Sequence, residues 1–261
     1  MAVARRDAIH RVSESCNIKA KNEKLKETSI HRVLKRCRID LTNKKRENKM
    51  KKYRPTDRTM GVLFIIYYLV GLVGLSLPAG RELFITLMPL SLLMSFVLML
   101  WYHRSWKPVH VVVIGAIALA GYLVEVVGVL TGEVFGEYTY GRALGLKLFA
   151  TPLMIGVNWI MLVYGFHALL EGFRWPWSLK VLGGAVLMVV YDVIMEPVAI
   201  SLDMWSWGGG AIPLQNYVAW FVISVVFLTV MQLAKVKTGN QVAVWLIAVQ
   251  TGFFLALNLL V

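Results

Sequence analysis

Cysteine is almost missing from this chain. Cys16 and Cys37 are its two cysteines, and none follows residue 58. A disulfide framework and a cysteine metal site are thereby excluded from the remainder. Histidine is nearly as scarce, with five scattered residues. Membrane di-iron hydroxylases, desaturases and ketolases hold their metals with clustered histidines, which this chain does not have. The last long apolar stretch, residues 241–260, contains no lysine, so a seven-helix retinal protein with a Schiff base there is excluded. No glycine loop of the phosphate-cradling type is present. A redox enzyme is disfavoured, and neither a metal nor a cofactor is expected. The chemistry left is acid–base catalysis or transport.

Charge is unevenly distributed. Residues 1–58 carry 19 of the 28 Lys and Arg and 7 of the 15 Asp and Glu, leaving 9 and 8 for the other 203 residues. The net charge of +13 therefore belongs almost wholly to an N-terminal arm. This arm lacks an apolar period and is expected to be a disordered cytoplasmic segment. No aromatic or fold signal accompanies its charge, so a nucleic-acid partner is not expected. No apolar stretch follows its first basic residues, which argues against a cleavable signal peptide. Met50-Lys51-Lys52-Tyr53-Arg54 has the look of a bacterial membrane-protein start. Residues 1–49 thus read as over-called upstream sequence.

Beyond the arm the chain is strongly apolar. Overall it is 57% hydrophobic, with a mean hydropathy of +0.62, the composition of a polytopic membrane protein. Seven stretches approach the ~20 residues that a spanning helix needs. They cover residues 60–77, 82–101, 109–130, 149–170, 181–200, 214–234 and 241–260. An all-α bundle of about seven spans over residues 59–261 is predicted, with short connections that make sequence neighbours antiparallel. Arg104, Lys107, Arg174, Lys180, Lys235 and Lys237 fall in one set of loops, and Arg81, Arg142 and Lys147 in the other. With the arm added, this bias predicts a cytoplasmic N-terminus. Trp101, Tyr102, Trp106, Trp175, Trp177, Trp205 and Trp207 lie at predicted boundaries, where interfacial anchoring accounts for most of them.

Two carboxylates interrupt the fifth stretch. Asp192 and Glu196 are four residues apart, hence on one helix face. An acid at that depth costs roughly 2.5–3.5 kcal/mol on insertion scales. Such a group pairs, faces a polar cavity or does chemistry. Under the predicted topology Glu125, Asn158, Asp192, Glu196, Gln215, Asn216 and Asn258 all fall toward the outer ends of their helices, with Gln250 near mid-depth. Polar groups from several helices at one depth make a buried site. The loop Thr131-Gly132-Glu133-Val134-Phe135-Gly136-Glu137-Tyr138-Thr139-Tyr140-Gly141 is rich in glycine and aromatics and predicts a folded cap over that site. Glu133 and Glu137 are also readable as merely solvated. The three buried acids have a structural reading too: they lock helices together, with Arg142 or Lys147 reaching down to neutralise one. His103, His110 and His167 fall at the other boundary and read as interfacial.

Three motifs carry a family resemblance. The first is Glu125 with the following Gly-Val-x-Thr-Gly and Phe135-Gly136-x-Tyr138-x-Tyr140. The second is Thr151-Pro152-Leu153 leading to Asn158-Trp159. The third is Asp192-x-x-x-Glu196-Pro197-x-Ala199 leading to Trp205-x-Trp207 and Ile212-Pro213-Leu214-Gln215-Asn216. In this order they resemble the integral-membrane carotenoid 1,2-hydratases, the γ-carotene/lycopene and bisanhydrobacterioruberin hydratases among them. The resemblance covers residues 58–261, and residues 1–49 have no place in it. It implies addition of water across the terminal C1=C2 bond of an acyclic carotenoid end, in the cell membrane, with the bilayer and other carotenoid-synthesising enzymes as partners. It supplies no residue roles.

The roles are expected on chemical grounds. Protonation of an isolated trisubstituted alkene at C2 leaves a tertiary cation at C1, which water then attacks. Apolar surroundings and a neighbouring carboxylate help an acid to keep its proton at neutral pH. Asp192 and Glu196 are the expected acid–base pair, with Glu125 as the third group. Asn158 and Asn216 are expected to orient the water, and the faces of Trp159, Tyr138 and Tyr140 to favour the cation. Two alternatives stay open: a proton-coupled transporter that uses the same carboxylates as a relay, and a non-catalytic carotenoid-binding protein. A transporter would show an inverted repeat, and the motifs instead concentrate in helices three to five.

Overall fold

The computed structural model describes residues 54–260. Cys16, Cys37 and the readings of residues 1–49 lie outside the described residues, as does nearly all of the proposed arm. Seven helices are present among the described residues, each long and apolar enough to cross a membrane. They are α1 (Asp57–Ser76), α2 (Pro78–Trp101), α3 (Pro108–Thr131), α4 (Met154–Glu171), α5 (Trp177–Ser201), α6 (Leu214–Leu233) and α7 (Gln241–Leu260). The protein is an all-α transmembrane bundle. Four short strands accompany the helices: β1 (Tyr138–Tyr140), β2 (Lys147–Leu148), β3 (Thr151–Pro152) and β4 (Trp205–Trp207).

Helix α4 is the hub. About 67% of its most apolar window is buried by protein, against 17–39% for the other six helices. It contacts α3 on one side and α7 and α5 on others, while α5 packs most extensively on α6 and α1 on α7. The apolar faces left over, such as Val62, Leu63 and Ile66 of α1, are exposed and suit hydrocarbon. Close approach of α3 to α4 depends on two glycines. A Cβ on Gly121 would stand 2.7 Å from the Trp159 Cβ, and one on Gly156 2.5 Å from the Ala118 carbonyl oxygen. Small residues at such crossings let helix backbones meet.

Most helix limits fall close to those predicted. The clear exception is the fourth, which starts at Met154 and not near residue 149. Residues 147–152 instead form the β2–β3 hairpin. Its turn residues Phe149 and Ala150 have φ of 50° and 61°. An apolar run does not by itself distinguish such a hairpin from the first turn of a helix.

At the end of the bundle away from the acids, the three histidines are buried and paired, not interfacial. His103 Nδ1 lies 2.7 Å from the Tyr164 hydroxyl and Nε2 3.1 Å from His110 Nδ1. His167 Nε2 is 2.8 Å from the Val236 carbonyl oxygen. Asn240 donates to the Met99 carbonyl and to Tyr164. Glu171 accepts the Thr238 and Gly239 backbone N–H groups and the Thr238 hydroxyl, which fastens the α6–α7 connection to α4. Burial first, then the adjacent His110, pull the His103 imidazole down from its ordinary value to about 4.

Candidate active site

The Tyr138-x-Tyr140 and Trp205-x-Trp207 repeats explain themselves once the backbone is seen. Residues two apart on a strand point to one face. β1 and β4 pair antiparallel, with Tyr138 opposite Trp207, Thr139 opposite Ser206 and Tyr140 opposite Trp205. Thr139 and Ser206 are exposed, while Tyr138, Tyr140 and Trp205 are buried and Trp207 is half-buried. The result is a two-stranded lid, polar outside and aromatic inside. Interfacial anchoring, the expectation for Trp205 and Trp207, is corrected here. Trp101, Trp106, Trp175 and Trp177 are roughly half exposed, as anchors would be, whereas Tyr102 is buried.

Each strand of the lid serves a different carboxylate. Tyr138 and Tyr140 donate their hydroxyls to Glu125 Oε2 at 2.6 and 2.7 Å. Trp159 Nε1 donates to Glu125 Oε1 at 2.9 Å. From β4, Trp205 Nε1 and Trp207 Nε1 donate to Glu196 Oε2 at 3.0 and 3.1 Å. Asn216, at the start of α6, uses one amide nitrogen for both remaining acids, 2.9 Å from Asp192 Oδ2 and 3.4 Å from Glu196 Oε1. Asp192 Oδ1 is buried and has no hydrogen-bond partner among the described residues. Burial and the nearby Glu125 charge push the Tyr138 and Tyr140 phenols far above their ordinary value, so both remain O–H donors.

The three acids are 5%, 0% and 1% exposed at Glu125, Asp192 and Glu196. Pro197, directly after Glu196, supplies no N–H to the helix ladder. Glu125, Tyr138, Tyr140, Asn158, Trp159, Asp192, Glu196 and Asn216 all line one cavity of about 30 Å³. That volume holds about one water. The expected arginine and lysine neutralisation is not found. Arg142 pairs with Glu82 at 2.7 Å and lies 3.6 Å from Asp203, and Lys147 donates to the Tyr140 carbonyl oxygen. Asn216 is engaged by the acids, whereas the Asn158 side chain lines the cavity without a hydrogen bond among the described residues. Gln215 and Asn258, expected in the cluster, are elsewhere. Gln215 donates to the Glu133 carbonyl outside the lid, and Asn258 to the Ile194 and Phe254 carbonyls. Glu133 and Glu137 are exposed, as their solvated reading has it.

A second, larger space adjoins the first. An apolar groove of about 170 Å³ runs between α1, α2, α4, α5 and α7, lined by Tyr67, Phe84, Met88, Leu92, Phe253 and Phe254 among others. Ile155, Asn158, Met195 and Trp205 line both the groove and the polar chamber. Tyr68 lines the groove too, accepts from Gln250 at 2.8 Å and lies 3.2 Å from Ser95 Oγ, tying α1, α2 and α7 together. Helices α1 and α2, which contribute none of the sequence motifs, thus supply much of the groove wall. The arrangement sets an apolar groove beside a water-sized compartment with three acids.

Two comparisons with known proteins found relatives. A family model described as "Carotenoid biosynthesis protein" matches residues 83–261. Among curated proteins, a bisanhydrobacterioruberin hydratase of Haloarcula japonica is 28% identical over 120 residues, a match covering 41% of this chain and 39% of the relative. No solved structure matches.

Proposed function

The chain belongs to the carotenoid biosynthesis protein family, and from that premise we propose that it is a cofactor-independent hydratase of acyclic carotenoid ends. The observation that carries this reading is the junction of groove and chamber at Ile155, Asn158, Met195 and Trp205. A polyene lying in the groove would bring its terminal C1=C2 bond to the acids and leave the rest of its length in lipid.

In this scheme Asp192 is the acid. Its Oδ1 is the one carboxyl oxygen of the three acids lacking a donor. The alkene π pair forms a bond from C2 to the Asp192 proton, and the O–H pair stays on the carboxylate. Positive charge develops at C1, beside the aromatic faces of Trp159, Tyr138, Tyr140 and Trp205. Trp159 is itself held in a stack on Trp220, with ring centroids 4.3 Å apart, and cations favour such faces. Water then donates a lone pair to C1, and Glu196 takes the proton released. Transfer of that proton to Asp192 through the chamber restores the starting state. Glu125, held by three donors, supplies fixed negative charge and a second proton acceptor. Asn158 orients the water, and Asn216 holds Asp192 and Glu196 together.

The domain reading proposed here keeps residues 1–58 as an appendage to the hydratase bundle. Loop charge supports a chamber facing the extracytoplasmic side of the cell membrane. The lipid bilayer is the medium through which substrate arrives, and neighbouring enzymes of carotenoid synthesis are the expected partners. Expression in a host that accumulates lycopene or an acyclic-ended γ-carotene tests the reading. A product heavier by one water supports it. Unchanged pigment with both substrates would overturn it.

A further inference from the structure

A third space lies outside the lid. A surface cleft of about 380 Å³ runs between the end of α3 with Gly132 after it and the lid residues Thr139 and Ser206, flanked by Glu137 and Gly208. Thr139 Oγ1 and Ser206 Oγ stand 3.1 Å apart, and Glu137 is exposed, so its floor is polar. Tyr138 and Trp207 line this cleft and also line the polar chamber. Their rings, with centroids 5.2 Å apart, are a shared wall between the two.

Hydration consumes one water per turnover, and the chamber holds about one. On its other side the chamber adjoins the apolar groove, sharing Ile155, Asn158, Met195 and Trp205 with it. A polyene end filling that groove closes it to water. Resupply therefore needs a route that the substrate does not occupy.

We propose that the cleft is the water inlet and that Tyr138 and Trp207 form its gate. This inference rests on the hydratase reading above. The gate is coupled to the acids by its own hydrogen bonds, because Tyr138 donates to Glu125 and Trp207 to Glu196. Swinging either ring aside to admit water releases one donor from a carboxylate. Closing it returns the donor and isolates the chamber for the protonation step. Substrate and water thus enter from different sides, one from hydrocarbon and one from the aqueous face.

The test uses the full chain with Cys16→Ser and Cys37→Ser as background. Ser206→Cys, and separately Thr139→Cys, is labelled with a bulky charged methanethiosulfonate, and labelling is followed by intact mass. Arg174→Cys, exposed at the opposite end of the bundle, is the control. The adduct in the cleft is expected to slow hydration about tenfold, with recovery on reduction and unchanged retention of bound carotenoid. The control adduct is expected to leave the rate alone. Complete labelling of both cleft positions with an unchanged rate would overturn the inlet while leaving the hydratase standing. So would a rate that falls only in step with lost carotenoid. No alcohol from the unlabelled wild type would instead sink the hydratase reading, and the inlet with it.

Discussion

Tyr138 and Trp207 face each other across the β1–β4 pair and donate to different acids, the hydroxyl to Glu125 and the indole to Glu196. A lid of six residues therefore fixes the side chains of two separate helices. Register matters accordingly: a slip of one residue in either strand would turn that strand's two inward aromatics to the outer face.

Losing a lid donor should weaken activity without emptying the site. Tyr140→Phe keeps the ring, Trp205→Phe keeps a smaller aromatic, and each removes one hydrogen bond to a buried acid, worth about 1.5–3 kcal/mol when the acceptor is charged. Thermal unfolding in detergent should shift down in both variants, and hydration should fall more than carotenoid retention does. Loss of retention with full hydration of what is still bound would contradict the assignment.

Filling the groove should act on substrate and not on folding. At Gly71 a Cβ would meet the Phe253 ring at 3.6 Å, an ordinary contact, and the residue lines the groove. Gly71→Leu also removes a helix-weakening glycine, worth about 0.5–1 kcal/mol. The variant should be at least as stable as wild type yet retain much less carotenoid, read as visible absorbance of the purified protein.

The far end of the bundle should make stability depend on pH. His103 is held neutral to about pH 4 by burial and by His110, with the Glu171 charge acting in the opposite direction and Tyr164 bonded to its ring. The unfolded chain takes up that proton near its ordinary value of about 6.5. Between about 6.5 and 4 the unfolded state binds more protons than the folded one, so stability falls as pH falls through that window. The midpoint of thermal unfolding should decline across it and be flat with respect to this group above it. His103→Gln should flatten the decline.

What the sequence made legible follows from cost. Spanning helices need long apolar runs, so all seven could be read. Carboxylates inside such runs are expensive, so Glu125, Asp192 and Glu196 drew attention, and the eight named site residues share one cavity. The β1–β4 pairing joins segments 67 residues apart, and no local pattern reports a contact of that range. Trp205 and Trp207 carried the same signature as membrane anchors, because an indole at a helix end suits either role. The hairpin at residues 147–152 was hidden for a similar reason, since Phe149 reads as apolar whether it starts a helix or turns a strand. Helices α1 and α2 carry no motif, because a groove wall for a hydrocarbon needs only apolar side chains.

The most direct measurement is product oxygen. Purified protein is given an acyclic carotenoid in water enriched in heavy oxygen, and the product is read by mass, for wild type and for Asp192→Asn. Water addition through Asp192 predicts a tertiary alcohol carrying the heavy label from wild type. It predicts a rate lower by about 10²–10⁴-fold in the variant, with carotenoid still bound. Unlabelled product, or a variant as active as wild type, would contradict it.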